Sequence, residues 1–373
     1  MSTKKKRTLW IVGTVTALIA ASLLYAFVFK PQPEAFTPPI TDAGGNVIPG
    51  SIAVIETVTL GGVEQTITIR GADSTKPVLL FLHGGPGMPS SPWATWNGYH
   101  SELEQHFVLV HWDQRGAGKS YSKDLTPEDM QWGDFVSDAL ELTDILRVRF
   151  GQEKIFLYGH SWGSGLGFAV LQANPEPYYA YFTSGVRVTW NSSQEVSYQN
   201  LLGLARQEND TKAIKKLEAI QPFDATNVDH LQVKGEYLSH FRVGDFHTAG
   251  LEEAWLNHVL KGNSSEYPKS TIKPTLAGKA LTDETLGVEI MTVGYDLTTD
   301  FPVSPIPVHF LQGRYDYECP GELVEAYYNA LEAPGKSFTW FENSAHDIYY
   351  DEADAFNQLV IQIADETLAG FID

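Results

Sequence analysis

Four short apolar runs constrain the fold of this chain most strongly, because each run ends in glycine or polar residues. They read PVLLFLHGG (77–85), FVLVHWDQR (107–115), KIFLYGHS (154–161) and PVHFLQGRYD (307–316). Strands that are buried on both faces of a parallel sheet have near-continuous apolar sequences of this kind. Helical patterns alternate with the runs, so the sequence predicts an α/β fold with a mostly parallel sheet.

Other segments add elements to this predicted sheet. SIAVIETVTL and VEQTITIRG flank Gly61 and Gly62, which predicts an opening antiparallel hairpin. A helical pattern covers residues 126–151, with Thr126 as the N-cap and Pro127 at the first helical position. KSFTWFE, near the C-terminus, is strand-like. These patterns extend the predicted fold beyond its four central strands.

Residues 187–300 interrupt the alternation of strands and helices. They contain helical stretches such as LLGLARQEN, TKAIKKLEAI and LEEAWLNHVL, and they lack a strong buried-strand pattern. We interpret residues 187–300 as a helical cap inserted into an α/β core. That core then consists of residues 51–186 and 301–373.

The N-terminus carries an apolar segment long enough to span a membrane. Residues 8–29 contain no charge and follow a basic cluster that ends at Arg7. A helix of this length crosses the hydrocarbon core of a bilayer, and the basic cluster places its N-terminal side in the cytoplasm. We therefore expect residues 1–30 to be a cytoplasmic basic tip and transmembrane anchor, residues 31–50 to be a tether, and the remaining chain to lie outside the cytoplasm. The alternative is secretion after signal-peptide cleavage, although the apolar run continues beyond Ala20 and no A-x-A site follows.

Charge and cysteine content exclude several classes of partner and site. The chain has 26 Lys and Arg against 46 Asp and Glu, a net charge of −20. Such a charge does not favour binding to nucleic acid. The single cysteine, Cys319, excludes an internal disulfide and a cysteine-rich zinc site. We expect this cysteine to pack rather than to react.

The stretch HWDQRGAGKS (111–120) ends like a phosphate-binding loop. The G-x-x-x-x-G-K-[ST] pattern would require its first glycine at position 113, where the chain has Asp113. A carboxylate there would repel the phosphates, so we expect no nucleotide ligand. Instead we predict that side-chain hydrogen bonds of Asp113 and Arg115 hold this loop beside the active site, while Lys119 faces solvent.

The segment Gly159-His160-Ser161-Trp162-Gly163 matches the G-x-S-x-G pattern of a nucleophile elbow. It follows the predicted strand KIFLY and precedes the helical stretch WGSGLGFAVLQANP, which is the context that the motif requires. The glycines permit a tight turn with the serine at its strained apex. We predict that Ser161 is a nucleophile, and the alternative is a glycine-rich turn without catalysis.

A serine nucleophile needs a histidine base and a carboxylate that orients the base. In this fold type the acid and then the base follow the serine along the chain. His346 lies on a predicted loop, whereas His309 falls within a buried strand, so we predict His346 as the base. Asp316, which follows the strand PVHFLQG, is the predicted acid, and Glu318 and Asp347 are the other candidates.

Two backbone N–H groups are needed for the oxyanion that forms when the serine attacks. Trp162, directly after the serine, supplies one of them by position. The loop HGGPG (83–87) ends a predicted strand, and Gly85 is our candidate for the second donor. A glycine-rich turn without function is the alternative for this loop.

Five motifs occur together in this order: HGGPG (83–87), DQRGAGKS (113–120), GHSWGS (159–164), GRYD (313–316) and a late His346. In these motifs the chain resembles the prolyl iminopeptidase family of α/β-hydrolases, over residues 77–186 and 300–373. The resemblance implies an α/β-hydrolase fold with Ser161, Asp316 and His346 as the catalytic triad. It also implies an acyl-enzyme mechanism without a metal or other cofactor, and release of an N-terminal residue, often proline, from small peptides.

Members of that family bind the free α-amine of the substrate through carboxylates of the cap. The resemblance does not extend into the cap, where the candidate substrate-binding residues are Glu195, Glu236, Glu252 and Glu253. We therefore predict a serine hydrolase that acts as an aminopeptidase on short peptides. A carboxylesterase or lactonase that uses the same triad on a small ester is the alternative, and an inactive membrane-tethered binding module is a third hypothesis.

Overall fold

The computed structural model describes residues 34–287 and 295–372. The predicted transmembrane anchor, which ends at residue 30, lies outside these ranges. Among the helices within them, none is both long and apolar enough to cross a membrane. Ala35–Asp373 form one compact unit. The anchor is therefore still a prediction from the sequence.

Eight strands form one sheet in the order β1-β2-β4-β3-β5-β6-β7-β8. Their bounds are β1 Ile52–Leu60, β2 Val63–Gly71, β3 Val78–Leu82, β4 Val108–Asp113, β5 Ile155–His160, β6 Tyr178–Ser184, β7 Val308–Gly313 and β8 Lys336–Phe341. β2 pairs antiparallel with β1 and with β4, and the other neighbours pair in parallel. The predicted hairpin around Gly61 and the mostly parallel sheet are confirmed.

Helices connect the strands and form the layers around the sheet. In the described part of the chain they are α1 Leu103–His106, α2 Trp132–Phe150, α3 Trp162–Ala173, α4 Trp190–Gln207, α5 Thr211–Glu218, α6 Val228–Phe241, α7 Leu251–Leu260, α8 Lys269–Thr282, α9 Leu297–Asp300, α10 Gly321–Ala330, α11 Ile348–Asp351 and α12 Ala353–Ile372. Helices α4 to α9 lie between β6 and β7 along the chain, in the segment where the sequence predicts a cap.

Helices cover both faces of the sheet. On one face Leu142 of α2, Leu166 of α3 and Val324 of α10 share an apolar core with the strands. On the other face Leu103 of α1 and Phe356 of α12 do the same. Every residue of β3, β4 and β5 is buried as a result. This two-sided burial explains why their sequences are apolar without a polar alternation.

The inserted helices have an apolar core of their own. Tyr198 of α4, Leu217 of α5 and Tyr237 of α6 are buried against one another in a cluster separate from those of the sheet. Side chains also cap the helices at their start: the Asp210 carboxylate accepts from the first turn of α5, and Asn227 does so for α6. The insertion is thus a folded layer rather than a long loop.

Part of the predicted tether packs against the body. Arg70 on β2 donates hydrogen bonds to Thr37 Oγ1 and to the carbonyl of Pro38, each at 2.6 Å. The same guanidinium forms a buried ion pair with Glu104 at 2.6 Å. These contacts fix Thr37 and Pro38 to the sheet.

Two local predictions differ from the structure. Thr126 caps the short 3-10 turn Pro127–Asp129, and α2 begins only at Trp132, where Gln131 and Asp134 form a second capping box. Strand β6 has no counterpart among the strands predicted above, although its sequence YYAYFTS is aromatic and almost entirely buried. Its residues have high β-propensity, so the signal was present in the sequence.

Candidate active site

Ser161 lies at the sharp turn between β5 and α3. Its backbone has φ 54° and ψ −119°, a strained conformation for a residue with a side chain. The neighbouring backbone leaves room only for glycine at positions 159 and 163, two residues before and after Ser161. A Cβ on Gly163 would lie 2.1 Å from the carbonyl oxygen of Leu82, and a Cβ on Gly159 would lie 2.4 Å from that of Gly163. The segment therefore has the geometry of a nucleophile elbow.

His346 and Asp316 form a buried pair. Nδ1 of His346 lies 2.9 Å from Oδ2 of Asp316. The carboxylate also accepts from the backbone N–H of Cys319 at 2.7 Å and from the side-chain amide of Gln312 at 3.1 Å. These bonds fix the carboxylate towards the imidazole, and Nε2 of His346 is then the nitrogen left to receive a proton. The structure brings these two predicted residues together.

One cavity joins this pair to the elbow. Ser161 and His346 both line a cavity of about 370 Å³, together with Gly84 and Gly85 of the HGGPG loop. We call it the Ser161 cavity. Gly185, with φ +56°, allows the imidazole to come close, because a Cβ at this position would lie 2.5 Å from Cε1 of His346. The predicted nucleophile and the predicted base therefore face the same space.

The two predicted oxyanion donors flank that space. Trp162 is the first residue of α3, and the first N–H groups of a helix have no acceptor within the helix. Gly85 has φ +124°, which glycine adopts readily, and it lines the Ser161 cavity. Trp162 therefore directly follows Ser161, and Gly85 lines the same cavity as Ser161, which is consistent with the predicted oxyanion role of both residues.

Gln114 connects the 113–120 loop to both sides of this oxyanion site. Its backbone N–H donates to Nε2 of His83 at 3.1 Å, and its side-chain amide donates to the carbonyl of His83 at 3.2 Å. Its Oε1 accepts from Nε1 of Trp162 at 2.9 Å. The loop that ends like a phosphate-binding motif therefore supports the HGGPG strand end and the elbow.

Side chains of the loop itself hold it in place, as predicted. Asp113 accepts hydrogen bonds from Oγ of Ser91 at 2.8 Å and from the hydroxyl of Tyr267. Arg115 forms an ion pair with Asp138 of α2 at 2.8 Å, and the two side chains are 4% and 0% exposed. The ion pair thus joins the loop to a core helix.

Lys119 does not face solvent, so that prediction was wrong. Its Nζ donates to the carbonyl of Glu266 at 3.1 Å and lies 4.5 Å from the centroid of the Tyr267 ring. Burial lowers the pKa of Lys119, against the opposing charge of Asp113. The cap segment that carries Glu266 and Tyr267 covers the loop, and nothing in the local sequence of the loop indicates this.

A second histidine and aspartate pair lies beside the first. Nε2 of His160 lies 3.0 Å from Oδ1 of Asp347, and Nδ1 of His160 lies 2.9 Å from Oγ of Ser184. The hydroxyl of Tyr349 donates to the same Asp347 oxygen at 2.7 Å. The ring centroids of His160 and His346 are 4.6 Å apart. Asp347, one of the alternative acids, therefore pairs with the elbow histidine.

Carboxylates around His346 raise its pKa. Burial alone would lower this pKa, but the charge and hydrogen bond of Asp316 outweigh it, and Asp347 and Asp245 add to their effect. The pKa of His346 rises to about 9 as a result. Burial and the neighbouring His346 lower the pKa of His160. At neutral pH the free protein therefore holds a proton on His346, while His160 is neutral.

Asp245 is a cap carboxylate in the Ser161 cavity that the sequence analysis did not select. It lies between α6 and α7, and it lines the cavity. In the described part of the chain its carboxylate has no hydrogen bond or ion pair with a side chain. The surrounding walls displace water from it, and with the nearby charge of Asp347 they raise its pKa to about 7.

The four cap glutamates predicted to bind substrate do not line the Ser161 cavity. Glu195 accepts a hydrogen bond within its own helix, and Glu252 accepts one from Ser239. Glu236 and Glu253 are exposed on the surface of the cap. The structure thus places all four away from the predicted nucleophile and base.

Glu318, the other alternative acid, is held by two cations. It lies 2.6 Å from a guanidinium nitrogen of Arg187 and 3.0 Å from Nζ of Lys234. Burial would raise the pKa of Glu318, but Lys234 and Arg187 lower it to about 2. This network joins the core to α6 of the cap, and it leaves Asp316 as the carboxylate that contacts His346.

The remaining candidates have structural surroundings. His309 on β7 bonds to Ser337 at 2.8 Å and does not line the Ser161 cavity. Cys319 is buried, and burial raises the pKa of its thiol. Its sulfur and the donor atoms of Asp316 and His346 lie within 4.8 Å of one another. A protonated thiol beside a carboxylate and an imidazole that bond to each other is a poor set of metal ligands.

Comparison with known proteins identifies the family of this chain. Residues 101–353 match the family model described as serine aminopeptidase, S33. The chain belongs to the S33 serine aminopeptidase family. Its resemblance to the prolyl iminopeptidases is therefore confirmed, and this S33 member is a serine hydrolase of the α/β-hydrolase type.

Individual relatives of this S33 member cover most of its length. It is 33% identical to the probable aminopeptidase YbaC of Bacillus subtilis (strain 168) over 311 residues, which cover 82% of this chain and 94% of that protein. It is 36% identical over 274 residues to a probable proline iminopeptidase of Leptolyngbya boryana, over 70% of this chain and 78% of that protein. The crystal structure of proline iminopeptidase from Mycobacterium smegmatis has the same fold, with a TM-score of 0.60 and 19% identity over 85% of this chain and 99% of that one.

Proposed function

We propose that this protein is an aminopeptidase that releases the N-terminal residue of short peptides through an acyl-enzyme on Ser161. One observation carries the proposal: the unpaired carboxylate of Asp245 lines the same cavity as Ser161 and His346. The α-ammonium group of a peptide is a cation that such a carboxylate binds through charge-assisted hydrogen bonds. An amine held beside the nucleophile restricts attack to the first peptide bond.

The proposed reaction begins with attack of Ser161 Oγ on the carbonyl carbon of the first residue. Nε2 of neutral His346 accepts the hydroxyl proton, and Asp316 keeps the imidazole in the tautomer that this requires. The N–H groups of Gly85 and Trp162 stabilise the oxyanion. His346 then gives its proton to the leaving amine and the C–N bond breaks. Water hydrolyses the resulting ester, with His346 again as the base.

Binding of the amine would also prepare the base. The charges of Asp245 and Asp347 help to raise the pKa of His346 in the free protein. An ammonium group beside Asp245 offsets this negative charge, so the pKa of His346 falls when substrate binds. The neutral fraction of His346 therefore increases once the amine is in place.

Substrates that differ only at the amine test the proposal. We would compare proline and alanine 4-nitroanilides with their N-acetyl forms on the full-length protein. We expect hydrolysis of the free-amine substrates, and its loss on acetylation and in Ser161→Ala. A preference for nitrophenyl esters that does not depend on an amine would support the carboxylesterase or lactonase alternative. Failure of a fluorophosphonate to label Ser161 in the folded protein would support an inactive binding module.

We also propose that the N-terminal apolar segment anchors the catalytic unit outside the cytoplasm. The uncharged length of residues 8–29 and the basic cluster before them support this location. Resistance to carbonate extraction, together with digestion of the body by protease added to spheroplasts, is the expected result. A shortened chain in the medium would support a cleaved signal peptide instead.

A further inference from the structure

Two buried histidines line the Ser161 cavity, and the proposed mechanism uses neither. His100 and His111 are 2% and 1% exposed, and both belong to the cavity wall. In the described part of the chain, neither nitrogen of either ring has a hydrogen-bond partner. A buried imidazole without partners costs folding free energy that an apolar side chain of the same shape would not. Four such nitrogens at one site call for an explanation, and a hydrogen-bonding group of a bound ligand is one.

The rings are held in a stack. The centroids of His100 and His111 are 5.5 Å apart, with an angle of 5° between the planes. Phe81 of β3 stacks on His111 at 4.8 Å, and Tyr350 stacks on His100 at 6.0 Å. Imidazole nitrogens form hydrogen bonds in the plane of the ring, so two stacked rings cannot satisfy each other. Phe81 and Tyr350 therefore hold the two histidine rings in place. The ring nitrogens of both histidines have no hydrogen-bond partner among the described residues.

Both rings are neutral. Burial lowers the pKa of His100 to about 4. Burial lowers the pKa of His111 well below its usual value, and the neighbouring His100 and Arg70 further disfavour a proton on it. A neutral imidazole has one donor and one acceptor, so the pair offers two of each. Tyr158 and Tyr349 also line the cavity, Tyr349 beside His100 and Tyr158 beside Phe81, so the wall around the two histidines is aromatic.

We propose that His100 and His111 recognise an uncharged hydrogen-bonding group, such as a phenol, a primary amide or an alcohol, at the end of the substrate's first side chain. Such a group pairs with the ring nitrogens, whereas an apolar side chain leaves them unpaired. A charged side chain would lose its hydration in this aromatic wall. The inference rests on the proposed function, in which the first residue enters the Ser161 cavity.

Matched pairs of substrates test this specificity on the full-length protein. We would measure kcat/KM for the 4-nitroanilides of tyrosine and phenylalanine, and for those of glutamine and methionine. The hydrogen-bonding member of each pair should be preferred by about tenfold or more. The wild-type comparison needs no variant, so it holds even where a substitution prevents folding. Equal kcat/KM within both pairs would overturn the inference.

Substitutions locate the effect on the two rings. His100→Phe and His111→Phe should each bring the tyrosine to phenylalanine ratio towards one, chiefly by improving turnover of the phenylalanine substrate. His309→Phe is the matched control, because His309, like His111, is a strand histidine with an unpaired buried Nε2, and it lies outside the cavity wall. It should leave the ratio unchanged. Folded His100 and His111 variants with the wild-type ratio would contradict the assignment.

Binding to Ser161→Ala separates this inference from the proposed function. Calorimetric titration with tyrosinamide and phenylalaninamide needs no turnover. Tighter binding of tyrosinamide, lost when His100→Phe is added, would support the recognition even if no peptide is cleaved. Equal affinities would overturn it, whereas a wild-type protein whose Ser161 does not react with a fluorophosphonate would overturn the proposed function alone.

Discussion

The backbone N–H of His346 donates a hydrogen bond to the carbonyl of Gly244 at 3.0 Å, so the candidate base is tied directly to the cap. The N–H of the next residue, Asp347, donates to the carbonyl of Asp245 at 2.8 Å. These two main-chain bonds keep the Asp245 carboxylate near the imidazole and within the Ser161 cavity. Amine recognition and proton transfer are therefore expected to be coupled.

Labelling of Ser161 by a fluorophosphonate should depend on pH through His346. The pKa of His346 is raised from 6.5 to about 9, so the base is protonated at neutral pH. The labelling rate should then rise about tenfold per pH unit until the pH approaches that pKa. Asp245→Asn removes one of the charges that raise the pKa of His346. The labelling rate of this variant should therefore begin to rise at a lower pH than that of the wild-type protein. If the labelling rate of the wild-type protein instead levelled off near pH 6.5, the raised pKa of His346 would be contradicted.

Steady-state kinetics should show the effect of bound amine on the same base. For a free-amine 4-nitroanilide, kcat/KM reports the free enzyme and kcat reports the complex. The acidic limb of kcat should lie at lower pH than that of kcat/KM, because the ammonium group offsets Asp245. The substrate amine loses its proton near pH 8, which lowers kcat/KM only on the alkaline side. If the acidic limbs of kcat and kcat/KM fell at the same pH, amine binding would not be coupled to the pKa of His346.

Asp245→Asn should weaken discrimination by the amine. The variant keeps the shape of the side chain but loses the charge that binds ammonium. The ratio of kcat/KM for free-amine and N-acetyl substrates should fall by roughly tenfold to a hundredfold. Glu236→Gln is the matched control, since this cap carboxylate is exposed and outside the cavity wall. An equal fall in both variants would show that charge on the cap in general, and not Asp245, sets the preference.

Two substitutions of Asp347 should separate geometry from charge. Asp347→Asn retains an oxygen that can accept from His160 and Tyr349, but it removes a negative charge near His346. It should therefore move the acidic limb of Ser161 labelling to lower pH with little loss of maximal rate. Asp347→Ala also removes the acceptor, and it should lower the maximal rate because the loop that carries His346 loses its contacts with the elbow. Identical profiles for the two variants would contradict this division of roles.

The positions of Ser161, Trp162, Asp316 and Gly85 were predictable because each lies close to a strand end with a short motif, whereas His346 was chosen as the late histidine on a predicted loop. Close backbone contacts at the elbow require glycine at positions 159 and 163. Both glycines belong to the G-x-S-x-G motif, so the local sequence is enough to identify the elbow. Asp245 could not be found in this way. Asp245 lies in the cavity because the main chain of the cap forms hydrogen bonds with the loop that carries His346. No sequence pattern near Asp245 predicts that contact. The cap likewise determines the burial of Lys119.

Arg115 should contribute much more to stability than an exposed arginine. Arg115→Met leaves Asp138 buried without its cation, which costs about 3–5 kcal/mol of unfolding free energy. Arg147→Met breaks an ion pair with Asp144 whose side chains are 30% and 66% exposed, so we expect a loss below about 1 kcal/mol. Urea unfolding of both variants in the same buffer measures the difference. Similar losses would mean that the loop does not depend on the buried pair.

The products formed from a short peptide of defined sequence test the central claim most directly. Mass spectrometry should show stepwise loss of single residues from the N-terminus with the wild-type protein. The same peptide with an acetylated N-terminus should stay intact, and neither peptide should be cleaved by Ser161→Ala. Cleavage at internal bonds, cleavage of the acetylated peptide at a similar rate, or undiminished cleavage by Ser161→Ala would contradict an amine-anchored aminopeptidase that acts through Ser161.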